Sequence, residues 1–137
     1  MKKNIGIWID TKHAFVIRLS NNSHTFKTIE SNIETRERVE GETKKYGRFG
    51  GQYLTYEKNR ENKRIQMTNQ FLKSLLKEIE TCDSVVVFGP SKMKNIFEKE
   101  IRNNMQLSHK LSGVSSIKYL TENQIVAWVK DYFKSLD

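Results

Sequence analysis

Between Ile5 and Leu19 the chain is almost continuously apolar, with one polar break at Asp10-Thr11-Lys12-His13. The β-branched runs Ile5–Ile9 and Ala14–Leu19 predict two antiparallel strands around a tight connection. Asn21-Asn22-Ser23 carries turn chemistry and leads to a third strand near His24–Glu30. From Ser31 to about Thr55 the periodicity disappears, and Glu, Arg, Lys and Gly dominate a stretch read as a loop over residues 31–55. Ile65, Leu72, Leu75, Leu76 and Ile79 then form a helical stripe within a long amphipathic helix from Tyr56 to about Glu80. Val85-Val86-Val87-Phe88 reads as a buried strand closed by Gly89-Pro90. Ser91 is placed to cap a helix bearing Ile96, Phe97 and Ile101. Val114–Leu120 is the last predicted strand, and Thr121-Glu122-Asn123-Gln124 matches a capping box ahead of Ile125, Trp128, Val129, Tyr132 and Phe133.

The order βββαβαβα predicts an α/β fold: a mixed β-sheet with covering helices, in the sequence of elements of a ribonuclease H-like motif. At 137 residues the chain fits a single domain over 1–137. A domain of that size removes roughly two-thirds of its unfolded surface from water and needs no disulfide or metal to hold it. The single Cys82 and the scattered His13, His24 and His109 provide neither a bridge nor zinc-ligand spacing, so no metal or cofactor is expected. Cys82 reads as an inert thiol next to a buried strand. Met1-Lys2-Lys3 is basic, but the apolar run behind it breaks at Asp10, so neither a signal peptide nor a membrane span is read, and the cytoplasm is the expected location.

A ribonuclease H-like order raises nuclease chemistry, which needs three or four carboxylates around two metal ions about 4 Å apart. Asp10 and Glu57 are the available acids, and the fourth strand ends in Gly89-Pro90 where another would be wanted. Asp10 therefore reads as a turn residue and Glu57 as an acid in the first turn of its helix. No serine, cysteine or histidine grouping suggests a triad.

Charge adds a different direction. Lysine and arginine number 24 against 16 aspartates and glutamates, a formal +8 that favours a polyanionic partner. The excess concentrates in Lys44–Arg64, where Lys44, Lys45, Arg48, Lys58, Arg60, Lys63 and Arg64 face only Glu57 and Glu61. Such density predicts phosphate contacts that weaken steeply with salt. Held between the basic clusters is the neutral tripeptide Gly50-Gly51-Gln52, which charge alone does not call for.

Lys44-Lys45-Tyr46-Gly47-Arg48-Phe49-Gly50-Gly51-Gln52, with Arg60 and Arg64 on the helix that follows, resembles the GGQ loop and helix of archaeal and eukaryotic class I translation release factors. Val85–Pro90 with Lys94 and Phe97 resembles the next strand and helix of that family's middle domain, and the opening strands match its ribonuclease H-like motif. The likeness covers the whole chain but only that one domain of the family, and it is greatest to stand-alone bacterial relatives. Phe49 is a departure, since the family reads Gly-Arg-Gly-Gly-Gln.

The resemblance implies a ribosome-associated factor promoting hydrolysis of the peptidyl-tRNA ester, in rescue rather than codon-directed termination. Gly50 and Gly51 would allow close approach to RNA, and Gln52 would act at the ester through its backbone N–H and side chain. Lys44, Lys45 and Arg48, with Lys58, Arg60, Lys63 and Arg64, would pair with ribosomal RNA phosphates near the peptidyl transferase centre. The partners implied are the ribosome, peptidyl-tRNA and a separate protein. A second reading stays open: a non-enzymatic ribosome- or tRNA-binding factor acting on idle or stalled ribosomes.

Overall fold

The computed structural model describes residues 3–21, 23–33 and 50–136, with residues 50–57 described by their backbone alone. Three strands open the chain: β1 (Asn4–Ile9), β2 (His13–Ser20) and β3 (Ser23–Glu30). A 29-residue helix, α1 (Gly50–Glu78), leads to β4 (Ser84–Gly89), α2 (Met93–Arg102), a 3-10 turn at Ser108–Lys110, β5 (Leu111–Ser116) and α3 (Glu122–Leu136). The sheet order is β3-β2-β1-β4-β5, with the first three strands antiparallel to their neighbours and β1, β4 and β5 parallel. This mixed sheet with helices on both faces is the α/β, ribonuclease H-like arrangement expected from the element order.

Alternation along the central strands sorts the core into two layers. Ile5, Ile7 and Ile9 of β1 join Val85 and Val87 of β4 beneath Phe71, Leu72 and Leu75 of α1, Ile79 just after it, and Met93, Phe97 and Ile101 of α2. On the opposite face Trp8, Ile17, Val86 and Phe88 meet Ile125, Val129 and Phe133 of α3. Each such aliphatic or aromatic side chain contributes roughly 1.5–3 kcal/mol when fully buried. Gly6 sits where α3 crosses β1: a Cβ there would lie 2.4 Å from Val129 Cγ2.

Several boundaries differ from the sequence expectation. Helix α1 begins at Gly50, six residues before Tyr56, so Gly50, Gly51 and Gln52 lie in a helical first turn rather than in the loop read over 31–55. A first turn tolerates glycine better than a helix interior, because its N–H groups have no intrahelical acceptor to lose. Glu57 is consequently beyond the second turn, and no acid lies in the first. Strand β5 occupies Leu111–Ser116, three residues earlier than predicted, because pairing with Val85–Gly89 fixes its register. The helix after β4 has Lys92 as its N-cap. Ser91, one residue outside, still accepts the Met93 N–H at 3.3 Å. The capping box at Thr121 forms as expected: Gln124 Oε1 accepts the Thr121 N–H at 2.9 Å, and Thr121 Oγ1 accepts the Gln124 N–H at 3.2 Å.

The inner end of α1 is tied to the sheet by charge as well as by apolar packing. Glu78 pairs with Arg18 of β2 through Oε1 and with Lys27 Nζ of β3 at 2.7 Å through Oε2. Burial alone would raise the Glu78 carboxyl, but the hydrogen bonds and charges of Lys27 and Arg18 outweigh it and hold the group below the ordinary carboxylate value.

Two outcomes are expected. Gly6→Ala should cost about 1–3 kcal/mol in denaturant unfolding, since Val129 must move to admit the methyl group. The stability contributed by Glu78 is fully present above the ordinary carboxylate pKa and is lost as pH falls through its lower folded value. Wild type should therefore exceed Glu78→Gln in stability at neutral pH by about 1 kcal/mol, with the gap closing below roughly pH 4 in acid-unfolding curves.

Candidate functional site

Parallel pairing of β1, β4 and β5 places their carboxyl ends at one edge of the molecule. β2 starts and β3 finishes at the same edge, because His13 pairs with Glu30. Helix α1 runs toward the opposite edge, ending at Glu78 shortly before β4 begins. Its outer part therefore extends past the carboxyl ends of the strands. Burial agrees: counting from Lys58, Phe71 is the first buried residue of the helix, and none from Lys58 to Gln70 is buried. Ile65, expected in the apolar stripe, is 54% exposed, because the helix has already left the sheet at that height.

At the helical rise of 1.5 Å per residue, Gln52 lies roughly 30 Å along the axis from Phe71. In an α-helix the first four N–H groups have no acceptor within the helix, and the macrodipole places partial positive charge there. Gly50-Gly51-Gln52 occupies that turn.

Turning about 100° per residue, Arg60, Lys63 and Arg64 share one side of α1, and Lys58 falls on the other. Lys58, Lys63 and Arg64 are exposed and Arg60 is partly buried. The face that carries Arg60 and Arg64 continues, about two and three turns beyond Arg64, as the face that buries Phe71 and Leu75. Lys44, Lys45 and Arg48, together with Phe49, lie outside the described residues. The departure point of that segment is fastened to the same edge of the sheet. Ser31 Oγ donates to the Thr11 carbonyl at 2.6 Å, and the Ser31 N–H donates to the Lys12 carbonyl at 2.9 Å.

Sequence reasoning singled out little at the corner where β1 ends, on the face of the sheet that α3 covers. Asp10, 3% exposed, accepts the Lys12 and His13 N–H groups at 2.8 and 2.9 Å through one carboxylate oxygen, the turn role expected of it. The Tyr119 hydroxyl lies close enough to this carboxylate to feel its charge. The Tyr119 ring, 69% exposed, lies against Trp8 with centroids 5.5 Å apart, and Trp8 also stacks on His13 and Phe15. Burial of its hydroxyl, then the charge and hydrogen bond of Asp10, push the Tyr119 phenol up. Proximity of Trp8 to Tyr119 was invisible in the sequence, where their numbers differ by 111. Gly89, with φ of 155°, closes this corner: a Cβ would fall 2.3 Å from the Ile9 carbonyl oxygen, so β4 can end against β1 only with glycine there.

Among the described residues, no three His, Cys, Asp or Glu side chains come together to hold a metal ion. Cys82 is buried, and burial, opposed by Lys110, pushes its thiol up, away from a reactive thiolate. No helix among the described residues is long and apolar enough to cross a membrane.

No family model matches the sequence, and no curated protein matches it by sequence. The fold, in contrast, is found in solved structures. An archaeal translation termination factor, aRF1, superposes with a TM-score of 0.54 at 13% identity, over 98% of this chain and 39% of that one. Pelota of Archaeoglobus fulgidus superposes with a TM-score of 0.51 at 12% identity, over 95% of this chain and 31% of that one. The chain thus spans less than two-fifths of the length of either, and what is shared is the fold.

Removing the Asp10 charge should bring the Tyr119 phenol back toward its ordinary value. In a ring-resonance NMR titration, Asp10→Asn should lower the Tyr119 midpoint relative to wild type. Coincident titration curves would show that the carboxylate does not act on that hydroxyl.

Proposed function

We propose that this chain is a ribosome-acting translation factor whose Gly50-Gly51-Gln52 turn promotes hydrolysis of the ester joining a nascent peptide to tRNA, in the clearing of stalled ribosomes. The observation that carries the reading is the position of this tripeptide, in the first turn of a helix in which no residue from Lys58 to Gln70 is buried. Supporting it are the sequence resemblance to the release-factor middle domain and the likeness of the fold to aRF1 and Pelota.

The chemistry asked of such a turn is modest. Attack of water on the ester develops negative charge on the carbonyl oxygen and on the leaving ribose hydroxyl. N–H groups without helical acceptors, at the positive end of a macrodipole, suit that charge. The absence of a Cβ at Gly50 and Gly51 lets RNA and ester approach the backbone closely. Gln52 adds an amide that orients water; the water's oxygen bonds to the carbonyl carbon as the ribose oxygen leaves, and its proton passes to that oxygen, so no protein general base is needed in this scheme. Arg60, Lys63 and Arg64 on one side of the helix, with Lys44, Lys45, Arg48 and Lys58, pair with phosphates of ribosomal RNA and fix the depth of entry. The ribosome and peptidyl-tRNA are then the partners, and the cytoplasm the location.

The test is release of labelled peptide from stalled ribosomes. Gln52→Ala should slow release about a hundredfold, equivalent to about 2.7 kcal/mol, with ribosome affinity nearly unchanged. Lys63→Glu with Arg64→Glu should weaken ribosome co-sedimentation and flatten its salt dependence. Equal release by wild type and Gln52→Ala would overturn the hydrolytic reading. Binding without release by either would favour the non-enzymatic factor.

A further inference from the structure

Glu78 stands in the last turn of α1, where a carboxylate opposes the helix macrodipole. The helix gains nothing by itself from an acid at that position. What Glu78 does touch is a pair of cations on two different strands, Arg18 of β2 and Lys27 of β3, each bound to a different carboxylate oxygen. Its side chain is 15% exposed, so the pairing is partly shielded from solvent. The register explains the convergence. Arg18 and Lys27 both point to the α1 face of the sheet, since Val16 lies opposite Lys27 and is buried under α1, and Arg18 follows Val16 by two residues.

The buried apolar side chains at this end of α1 are Phe71, Leu72, Leu75 and, just past the last turn, Ile79, a stripe of roughly 12 Å with Leu76 partly buried beside it. Apolar contact is non-directional. It holds the helix down but offers little resistance to a swing across the strands. Charge-assisted hydrogen bonds to two neighbouring strands do resist it, because a swing toward either strand lengthens the bond to the other. The lever is long: from Glu78 to Gln52 is roughly 39 Å along the axis, so a 10° swing at the base carries the tip about 7 Å. Misplacement of reacting groups by about 1 Å can cost on the order of a hundredfold in rate.

We infer that Glu78, clamped between Arg18 and Lys27, is a positioning residue that sets the angle of α1 to the sheet and thereby where the Gly50-Gly51-Gln52 turn arrives. The inference rests on the proposed hydrolytic reading for its consequence, but the angle itself is measurable without any activity.

Spin labels at Asn62→Cys on α1 and Lys130→Cys on α3, both exposed positions, report the angle by pulsed electron–electron distance measurement on the full chain. With Glu78 intact the distance distribution should be narrow. Glu78→Gln should broaden it at least twofold while far-ultraviolet circular dichroism and thermal unfolding show a folded protein. Arg18→Glu combined with Glu78→Arg, which restores one opposite-charge pair, should narrow it again. In peptide release, Glu78→Gln should lower the rate at saturating protein about tenfold and leave ribosome affinity unchanged, and the charge-swapped pair should recover part of the loss. Equal widths for wild type and Glu78→Gln would overturn the inference, whatever release does. A broadened distribution alongside wild-type peptide release that is insensitive to Gln52→Ala would uphold the clamp and remove the hydrolytic reading instead.

Discussion

The structure depends on one constraint: β1 and β4, paired in parallel at the middle of the sheet, are apolar on both faces and must be covered on both. A strand reading Ile-Gly-Ile-Trp-Ile cannot leave either side to water. Helices α1 and α2 therefore take one face and α3 the other, and Gly6 removes the Cβ that would hold α3 off the sheet. Everything that positions chemistry follows from this pairing. It gathers the carboxyl ends of β1, β4 and β5 at one edge and makes the returning helix α1 enter from that edge.

The second consequence is a mismatch of lengths. Strands of six residues span about 20 Å, whereas a 29-residue helix spans about 43 Å. Only the inner portion of α1 finds a sheet to pack on, and the excess extends beyond the body. From Lys58 to Gln70 no residue is buried, so this part of the helix draws little from hydrophobic burial and more from intrinsic propensity and side-chain pairs. The charged composition of Lys58–Arg64 suits both that exposure and contact with a polyanion. The ionic attachment of Glu78 then carries a mechanical weight that a surface salt bridge ordinarily lacks.

The corner at Asp10 shows how one buried carboxylate can organise an edge. Two backbone N–H groups donate to it and shape the β1–β2 turn, while the Tyr119 ring lies against Trp8 and brings the segment after β5 to β1. Ser31 fastens the end of β3 to the same turn. The segment that leads to α1 thus departs from a fixed point.

What the sequence determined by itself was set by local rules. Alternating and continuous apolar runs fixed the number and order of strands and helices, the Thr121–Gln124 capping box marked the start of α3, and the basic residues about Gly50-Gly51-Gln52 singled out the candidate site before any coordinates. Tertiary structure alone decided the rest, because those features depend on partners distant in the chain. The register of β5 answers to β4. The exposure of Ile65 answers to where the sheet ends beneath α1, which a helical stripe cannot reveal. The start of α1 at Gly50 defies the low helix propensity of glycine. The meeting of Glu78 with Arg18 and Lys27, and of Asp10 with Tyr119, required strands and helices to be assembled first, since opposite charges or hydrogen-bonding groups 50 to 110 residues apart carry no mutual signal until packing brings them within a few ångströms.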